Sequence, residues 1–166
     1  MLISIDPGVK RNAYAVFASG VLHQVGWIAP ELVPGTDVIV ENPVLYGGRA
    51  ARGSGKDLLD LARAVGAIEF WARANRASVQ LIAPARWKGQ VCKPICHARI
   101  WRELSVGERV ECSKSFKMRP LDVEKKITDA CKSYAKTRKV TRYSWAAHNL
   151  LDAIGIGLWS LKRLQK

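Results

Sequence analysis

A chain of 166 residues suits one domain, and a hydrophobic content of 48% excludes wholesale disorder. Lys and Arg total 27 against 14 Asp and Glu, a net charge of +13 that calls for a polyanionic partner, nucleic acid ahead of an anionic membrane surface. Met1 leads straight into Leu2-Ile3-Ser4-Ile5-Asp6, which does not fit a secretory signal, and no apolar run reaches the roughly 18 residues of a membrane span; a cytoplasmic protein with no membrane partner is expected.

Residues 2–5 read as a short buried strand ending at Asp6, with Asp6-Pro7-Gly8 as a turn. Residues 12–18 form a second strand, Ser19-Gly20 a hairpin turn, and 21–28 a third strand, which together make an antiparallel meander. Residues 30–36 carry no helical period. The β-branched run 37–41 predicts a fourth strand, ended by Asn42-Pro43. Gly47-Gly48-Arg49-Ala50-Ala51-Arg52-Gly53-Ser54-Gly55-Lys56 reads as a mobile basic loop. Over 57–76, Leu58, Leu61, Ala62, Val65, Ile68 and Ala72 fall on one side of a helix. A fifth strand is expected over 78–83, closed by Pro84, then helices over 95–105, 121–136 and about 144–164. A helix between strands four and five makes a parallel crossover. The fold class is therefore α/β: three antiparallel strands, then parallel ones, flanked by helices, in a single domain over 1–166.

Acidic residues are scarce, so their placement is informative. Asp6 ends the first strand and Glu41 the fourth. Asp152 lies inside the apolar stretch Leu150-Leu151-Asp152-Ala153-Ile154 and is the only acid after Asp129. An ionised carboxylate on a mostly buried helix is costly unless it is paired or bound to a cation. Three carboxylates converging from strand ends and a helix suit a hard divalent metal. Cys92, Cys96, Cys112 and Cys131 read as reduced thiols, and with His97 they fit no zinc spacing. Gly53-Ser54-Gly55-Lys56 fails as a phosphate-binding loop, because Ala50 stands where the first glycine belongs and Asp57 follows the lysine.

Ile3-Ser4-Ile5-Asp6-Pro7-Gly8 resembles the first motif of RuvC-type Holliday junction resolvases, and Val38-Ile39-Val40-Glu41 resembles the second. Leu58 to Gly66 is similar to the helix that follows, Pro84-Ala85-Arg86-Trp87-Lys88-Gly89 to the segment after the fifth strand, and Asn149-Leu150-Leu151-Asp152-Ala153 to the last motif. The resemblance runs from residue 2 to about 158, and the compact form is similar to phage-encoded members. It implies a ribonuclease-H-like fold and a homodimeric metal-dependent endonuclease that cuts branched DNA. It also implies two Mg²⁺ or Mn²⁺ ions held by Asp6, Glu41 and Asp152. The fourth position of that pattern, usually acidic or His, falls on Asn149; His148, four residues before Asp152, shares the same helix face, and either residue has a ligating atom. On that resemblance two such ions would orient water and neutralise the leaving oxygen; Asp6 would bridge them, and Glu41 and Asp152 would each anchor one side. The helix that the family carries between strands three and four has no room in 30–36.

Residues 86–140 hold 15 Lys or Arg against 6 Asp or Glu. Lys88, Lys114, Lys117, Arg119, Lys125, Lys126, Lys132, Lys136, Arg138 and Lys139 are candidate phosphate contacts, as are Arg49, Arg52 and Lys56 of the glycine-rich loop. Among the aromatics, Trp87, Trp101, Tyr134, Tyr143 and Trp145 suit core packing more than base stacking, and Tyr46 is a candidate base probe. Two other readings stand beside the junction-cutting one: a nuclease acting on RNA–DNA hybrid or RNA, and a non-catalytic junction-binding protein.

Overall fold

The computed structural model describes residues 1–42, 55–137 and 148–164. Its centre is one five-stranded sheet in the order β3-β2-β1-β4-β5. Strands β1 (Leu2–Asp6), β2 (Ala13–Ala18) and β3 (Val21–Gly26) form the expected antiparallel meander. Strands β4 (Asp37–Glu41) and β5 (Ser78–Ile82) extend the sheet in parallel from the other side of β1. This mixed sheet, three antiparallel strands continued by two parallel ones, is the arrangement that the sequence predicts. The third strand ends at Gly26, two residues early. Ile28 is solvent-exposed, and Trp27 lies beneath the Arg11 guanidinium, 4.0 Å from its ring centre, a cation–π contact that replaces ladder pairing. Residues 27–36 contain no helix.

Helix α1 (Gly55–Ala74) connects β4 to β5 and covers one face. Side chains alternate across a strand, so Ile3, Ile5, Val38 and Val40 meet Val65, Ile68 and Ala72 of α1 there. Burial on α1 is confined to its C-terminal half; Leu58 and Leu61 are half-buried and Ala62 is exposed. Length accounts for this. Twenty helical residues span roughly 30 Å, whereas a five-residue strand spans roughly 17 Å. The first turns of α1 therefore overshoot the sheet at the end where β1 and β4 finish.

The opposite face is covered by α6 (His148–Ser160), which packs on β1 and β2, with α3 (Lys93–Glu103) against it and α5 (Pro120–Thr137) against α3. Two short elements have no counterpart in the sequence reading. One is α2 (Pro84–Trp87), a single turn opened by proline; the other is α4 (Val106–Phe116), which packs on β3. The signal for α4 was present as Ser105-Val106-Gly107-Glu108, a capping box in which the Ser105 hydroxyl accepts from Glu108 N–H and the Glu108 carboxylate accepts from Ser105 N–H. Glu108 also accepts from Leu22 N–H and forms a two-pronged pair with Arg163 at 2.7 and 2.8 Å. These bonds tie β3, α4 and the chain after α6 together. No helix among the described residues is long and apolar enough to cross a membrane.

Closeness of α6 to the sheet depends on glycine. A Cβ on Gly157 would collide with the Phe17 ring and stand 2.7 Å from Ser4 Oγ; one on Gly155 would stand 2.6 Å from both Ile100 and Trp87. The buried Ser4 hydroxyl uses this proximity to donate to the Ala153 carbonyl at 2.7 Å.

Gly157→Ala should destabilise the fold by about 1–3 kcal/mol, as overpacking does, measured by urea unfolding. Although burial by itself raises the Glu108 pKa, the Arg163 pair and the N–H donors hold it down at about 2, against its ordinary 4.5. A depressed folded pKa means stability that is present above pH 4.5 and lost as pH falls through about 2. Glu108→Gln should therefore lower the melting temperature at neutral pH and flatten its acid dependence in that window, read by thermal scans across pH.

Candidate active site

Strand parity brings the first two acids together. On β1, Leu2, Ser4 and Asp6 alternate against Ile3 and Ile5, so Asp6 shares the face that Ser4 turns toward α6. On β4, Val38 and Val40 face α1, which puts Ile39 and Glu41 on the α6 side. Ile5 pairs with Val40, so Asp6 and Glu41 are neighbours one step beyond that pair. Asp152 enters from α6, one residue before the Ala153 carbonyl that Ser4 holds. The three carboxylates thus gather at the C-terminal ends of β1 and β4.

Their electrostatics follow from that crowding. Burial pushes the Asp6 pKa well up, and the charges of Asp152 and Glu41 add to the rise. Burial also raises Glu41, which Lys88 and the Trp87 hydrogen bond offset only in part. Asp152 behaves oppositely. Burial would raise its pKa, but the His97 hydrogen bond and the positive charge of Lys93 and Lys88 hold it far below the usual carboxylate range.

Those offsetting groups come from α2 and α3. Trp87 Nε1–H donates to Glu41 Oε2 at 2.6 Å, and Lys88 Nζ stands 3.5 Å from the same oxygen. Lys93 Nζ lies 2.6 Å from Asp152 Oδ2, and His97 Nε2 lies 2.9 Å from Asp152 Oδ1. Burial of Lys88 works against its charge, yet Glu41, Asp152 and Asp6 outweigh that and raise its pKa. Beside them, burial pushes the Cys96 thiol up to about 12, so it stays protonated at neutral pH.

Among the described residues, Lys88 is the one predicted phosphate contact that stands among the carboxylates. Lys114 and Arg119 flank the α4–α5 junction and pair with Glu111 at 2.6 Å and Asp122 at 2.8 Å, while Lys117 is the exposed left-handed cap of α4. Lys56 is exposed at the start of α1. Asn149 and His148 occupy the first turn of α6, both half-buried, one turn ahead of Asp152. Arg49, Arg52, Tyr46, Arg138, Lys139, Tyr143 and Trp145 lie outside the described residues, as do most of the glycine-rich loop and the expected start of the last helix before His148. Sequence reasoning missed Lys93 altogether and weighed His97 only as a zinc ligand. The available signal was their i, i+4 spacing, which puts both on one face of α3.

Among the described residues, no three His, Cys, Asp or Glu side chains stand arranged as a ready metal cage. The reason is visible in the contacts: Asp152 and Glu41 direct oxygens to nitrogen donors. The donor set itself still suits a hard cation, being three carboxylates that are short of positive charge at Asp6 and Glu41.

No protein-family model and no curated protein sequence matches the chain. Among solved structures, it is similar to the Fowlpox virus resolvase in complex with substrate Holliday junction DNA, at 14% identity and a TM-score of 0.46, over 99% of this chain and 100% of that one. It is also similar to T. thermophilus RuvC in complex with a Holliday junction substrate, at 15% identity and a TM-score of 0.43, over 95% and 89% of the two chains. A further Thermus thermophilus RuvC structure aligns at 15% identity and a TM-score of 0.42, over 95% and 90%.

Asp6→Asn should raise the melting temperature in metal-free buffer at neutral pH, because it removes a buried charge that two carboxylates repel. A pKa raised on folding means a penalty that grows as pH climbs through the folded value. The advantage of the variant should therefore shrink toward acid pH, which paired thermal scans in EDTA would check.

Proposed function

We propose that this protein is a metal-dependent endonuclease that cuts branched DNA, four-way junctions foremost, by hydrolysing backbone phosphodiesters. The observation that carries this reading is the meeting of Asp6, Glu41 and Asp152 at one end of the sheet, with Lys88 and Lys93 among them. The motifs that resemble RuvC-type resolvases contribute these same acids, and the net charge of +13 suits a polyanionic substrate.

Asp6, Glu41 and Asp152 would hold Mg²⁺ or Mn²⁺, with Asn149 or His148 as a further ligand. Bound there, divalent ions supply an activated water and neutralise charge on the leaving oxygen. The protein's own part is to place and balance charge. Trp87 and Lys88 fix the Glu41 carboxylate, and His97 and Lys93 fix that of Asp152. Among the described residues, Lys88 and Lys93 are the ammonium groups beside the carboxylates, where they would stabilise the developing charge of a scissile phosphate. Exposed Lys125, Lys132 and Lys136 form one stripe along α5, opposite its buried Val123 and Ile127, and suit phosphate contacts further from the cut. Cutting two opposed strands of a junction needs two such sites, so a homodimer is the expected working unit.

Incubating end-labelled four-way junction, matched linear duplex and RNA–DNA hybrid with EDTA, Mg²⁺ or Mn²⁺ tests the reading. Paired symmetric nicks on the junction alone, lost in EDTA, are the expected result. Hybrid cleavage alone would move the assignment to a hybrid-cutting nuclease, and binding without cutting in either metal would make it a junction-binding protein. Asp6→Asn should slow cleavage by about a hundredfold or more and leave junction binding intact or tighter in gel-shift titrations. An unchanged rate would overturn the site.

A further inference from the structure

We infer that His97 is a positioning residue for Asp152: its Nε2–H anchors Oδ1 and leaves Oδ2, now on Lys93, as the oxygen exchanged for an incoming divalent ion. The inference rests on the metal-site reading above and names a part of it that neither the motifs nor the family resemblance supplies.

Three observations carry it. The first is geometric. Lys93 and His97 lie one turn apart on α3 and take separate oxygens of a single carboxylate, Lys93 at 2.6 Å and His97 at 2.9 Å. The second is accessibility. The His97 side chain is 0% exposed whereas that of Lys93 is 31% exposed, so the imidazole is locked by packing and the ammonium has a path to solvent. Cys96, Ile100 and Trp101 are buried beside it on the same helix, which leaves α3 no freedom to withdraw His97 alone. The third is chemical. Asp152 Oδ2 stands 2.6 Å from the Lys93 ammonium, the contact of an ionised carboxylate. An ionised carboxylate only accepts hydrogen bonds, so the proton between Asp152 and His97 belongs to Nε2.

The two donors therefore differ in kind. His97 holds the Asp152 side chain in one orientation whether or not an ion is present. Lys93 balances the charge while the site is metal-free and yields its oxygen when the ion arrives. Losing a group that orients a ligating carboxylate typically weakens metal affinity by about 10- to 100-fold.

The test is Mn²⁺ binding to the whole protein, without DNA, followed by the loss of the free-ion electron paramagnetic resonance signal. Wild type, Asp152→Asn, His97→Leu, His97→Gln and His97→Asn are compared, with circular dichroism reporting the fold of each. The Gln amide reaches about where Nε2 stands and donates in its place; the shorter Asn amide does not. Mn²⁺ affinity should fall about 10- to 100-fold in His97→Leu and His97→Asn and return close to wild type in His97→Gln. Should His97→Leu fail to fold, the Gln and Asn pair, both polar and differing by one methylene, still decides the matter. Equal affinity in those two variants, or wild-type affinity in His97→Leu, would overturn the inference while the metal site stands. A wild type that binds Mn²⁺ no better than Asp152→Asn would instead overturn the metal-site reading itself, and this inference with it.

Discussion

Three carboxylates crowded into a half-buried space repel one another, and the surrounding structure is arranged to offset that repulsion. Burial weakens solvent screening, so Asp6 and Glu41 are driven toward their protonated forms. Asp152, the most deeply buried of the three, is nevertheless the one held firmly ionised. The difference lies in its partners. Asp152 has a direct donor on each oxygen, Glu41 has an indole and a more distant ammonium on one oxygen, and Asp6 has no ion pair among the described residues but feels the charges of Lys93 and Lys88. The site is thus graded, from a fully neutralised acid on the helix to an under-neutralised one at the end of the central strand. That under-neutralised acid is where an added cation would bring the largest electrostatic gain.

This gradation is set by how closely α6 approaches β1. Gly157 lets the helix lie against Phe17 and Ser4, and the Ser4–Ala153 hydrogen bond fixes its height along the strand. Gly155, facing the other way, lets Trp87 and Ile100 close on the same helix. Glycine is normally unfavourable in a helix interior by up to about 1 kcal/mol relative to alanine. Two of them within three residues here exchange helix propensity for contact on both sides, and Asp152 lies one turn before. The same packing that buries the hydrophobic core therefore sets the distances among the charged groups.

Much of this was legible in the sequence, and the part that was not has a consistent cause. Strands β1, β4 and β5 follow from β-branched runs closed by turn residues, and the positions of Asp6 and Glu41 come with them. Asp152 stands out because an acid among Leu, Ala and Ile needs a partner. Hidden were the partners themselves. Trp87 sits in a four-residue helix too short to show a period, and Lys93 and His97 follow a glycine- and cysteine-containing stretch on a helix whose apolar residues are mixed with Arg99 and Arg102. Their relation to Glu41 and Asp152 spans about fifty residues and exists only once α2 and α3 fold over the sheet end. Sequence periodicity reports which face of an element is buried; it does not report which distant charge waits on the other side. The capping box at Ser105 is a different case, a local pattern that the sequence reading passed over although it marks the start of α4 and, through Glu108, one anchor of the long-range pair with Arg163.

On the proposed reading, the charge balance also bears on how many ions the protein holds by itself. Among the described residues, three carboxylates face two ammonium groups, which leaves one net negative charge if all are ionised. A single divalent ion held by Asp6, Glu41 and Asp152 would more than satisfy that. A second ion has less to bind. Asn149, at the position where the resolvase pattern usually has an acid or His, brings an amide oxygen but no charge, and His148 in the same turn brings none while neutral. On the proposed reading the missing negative charge would come from outside the protein, and the scissile phosphate would carry it. In that arrangement the second ion and the DNA bind in a linked manner, each strengthening the other by the same free energy. On that reading, departure from the four-ligand pattern would change the order of assembly without removing the chemistry.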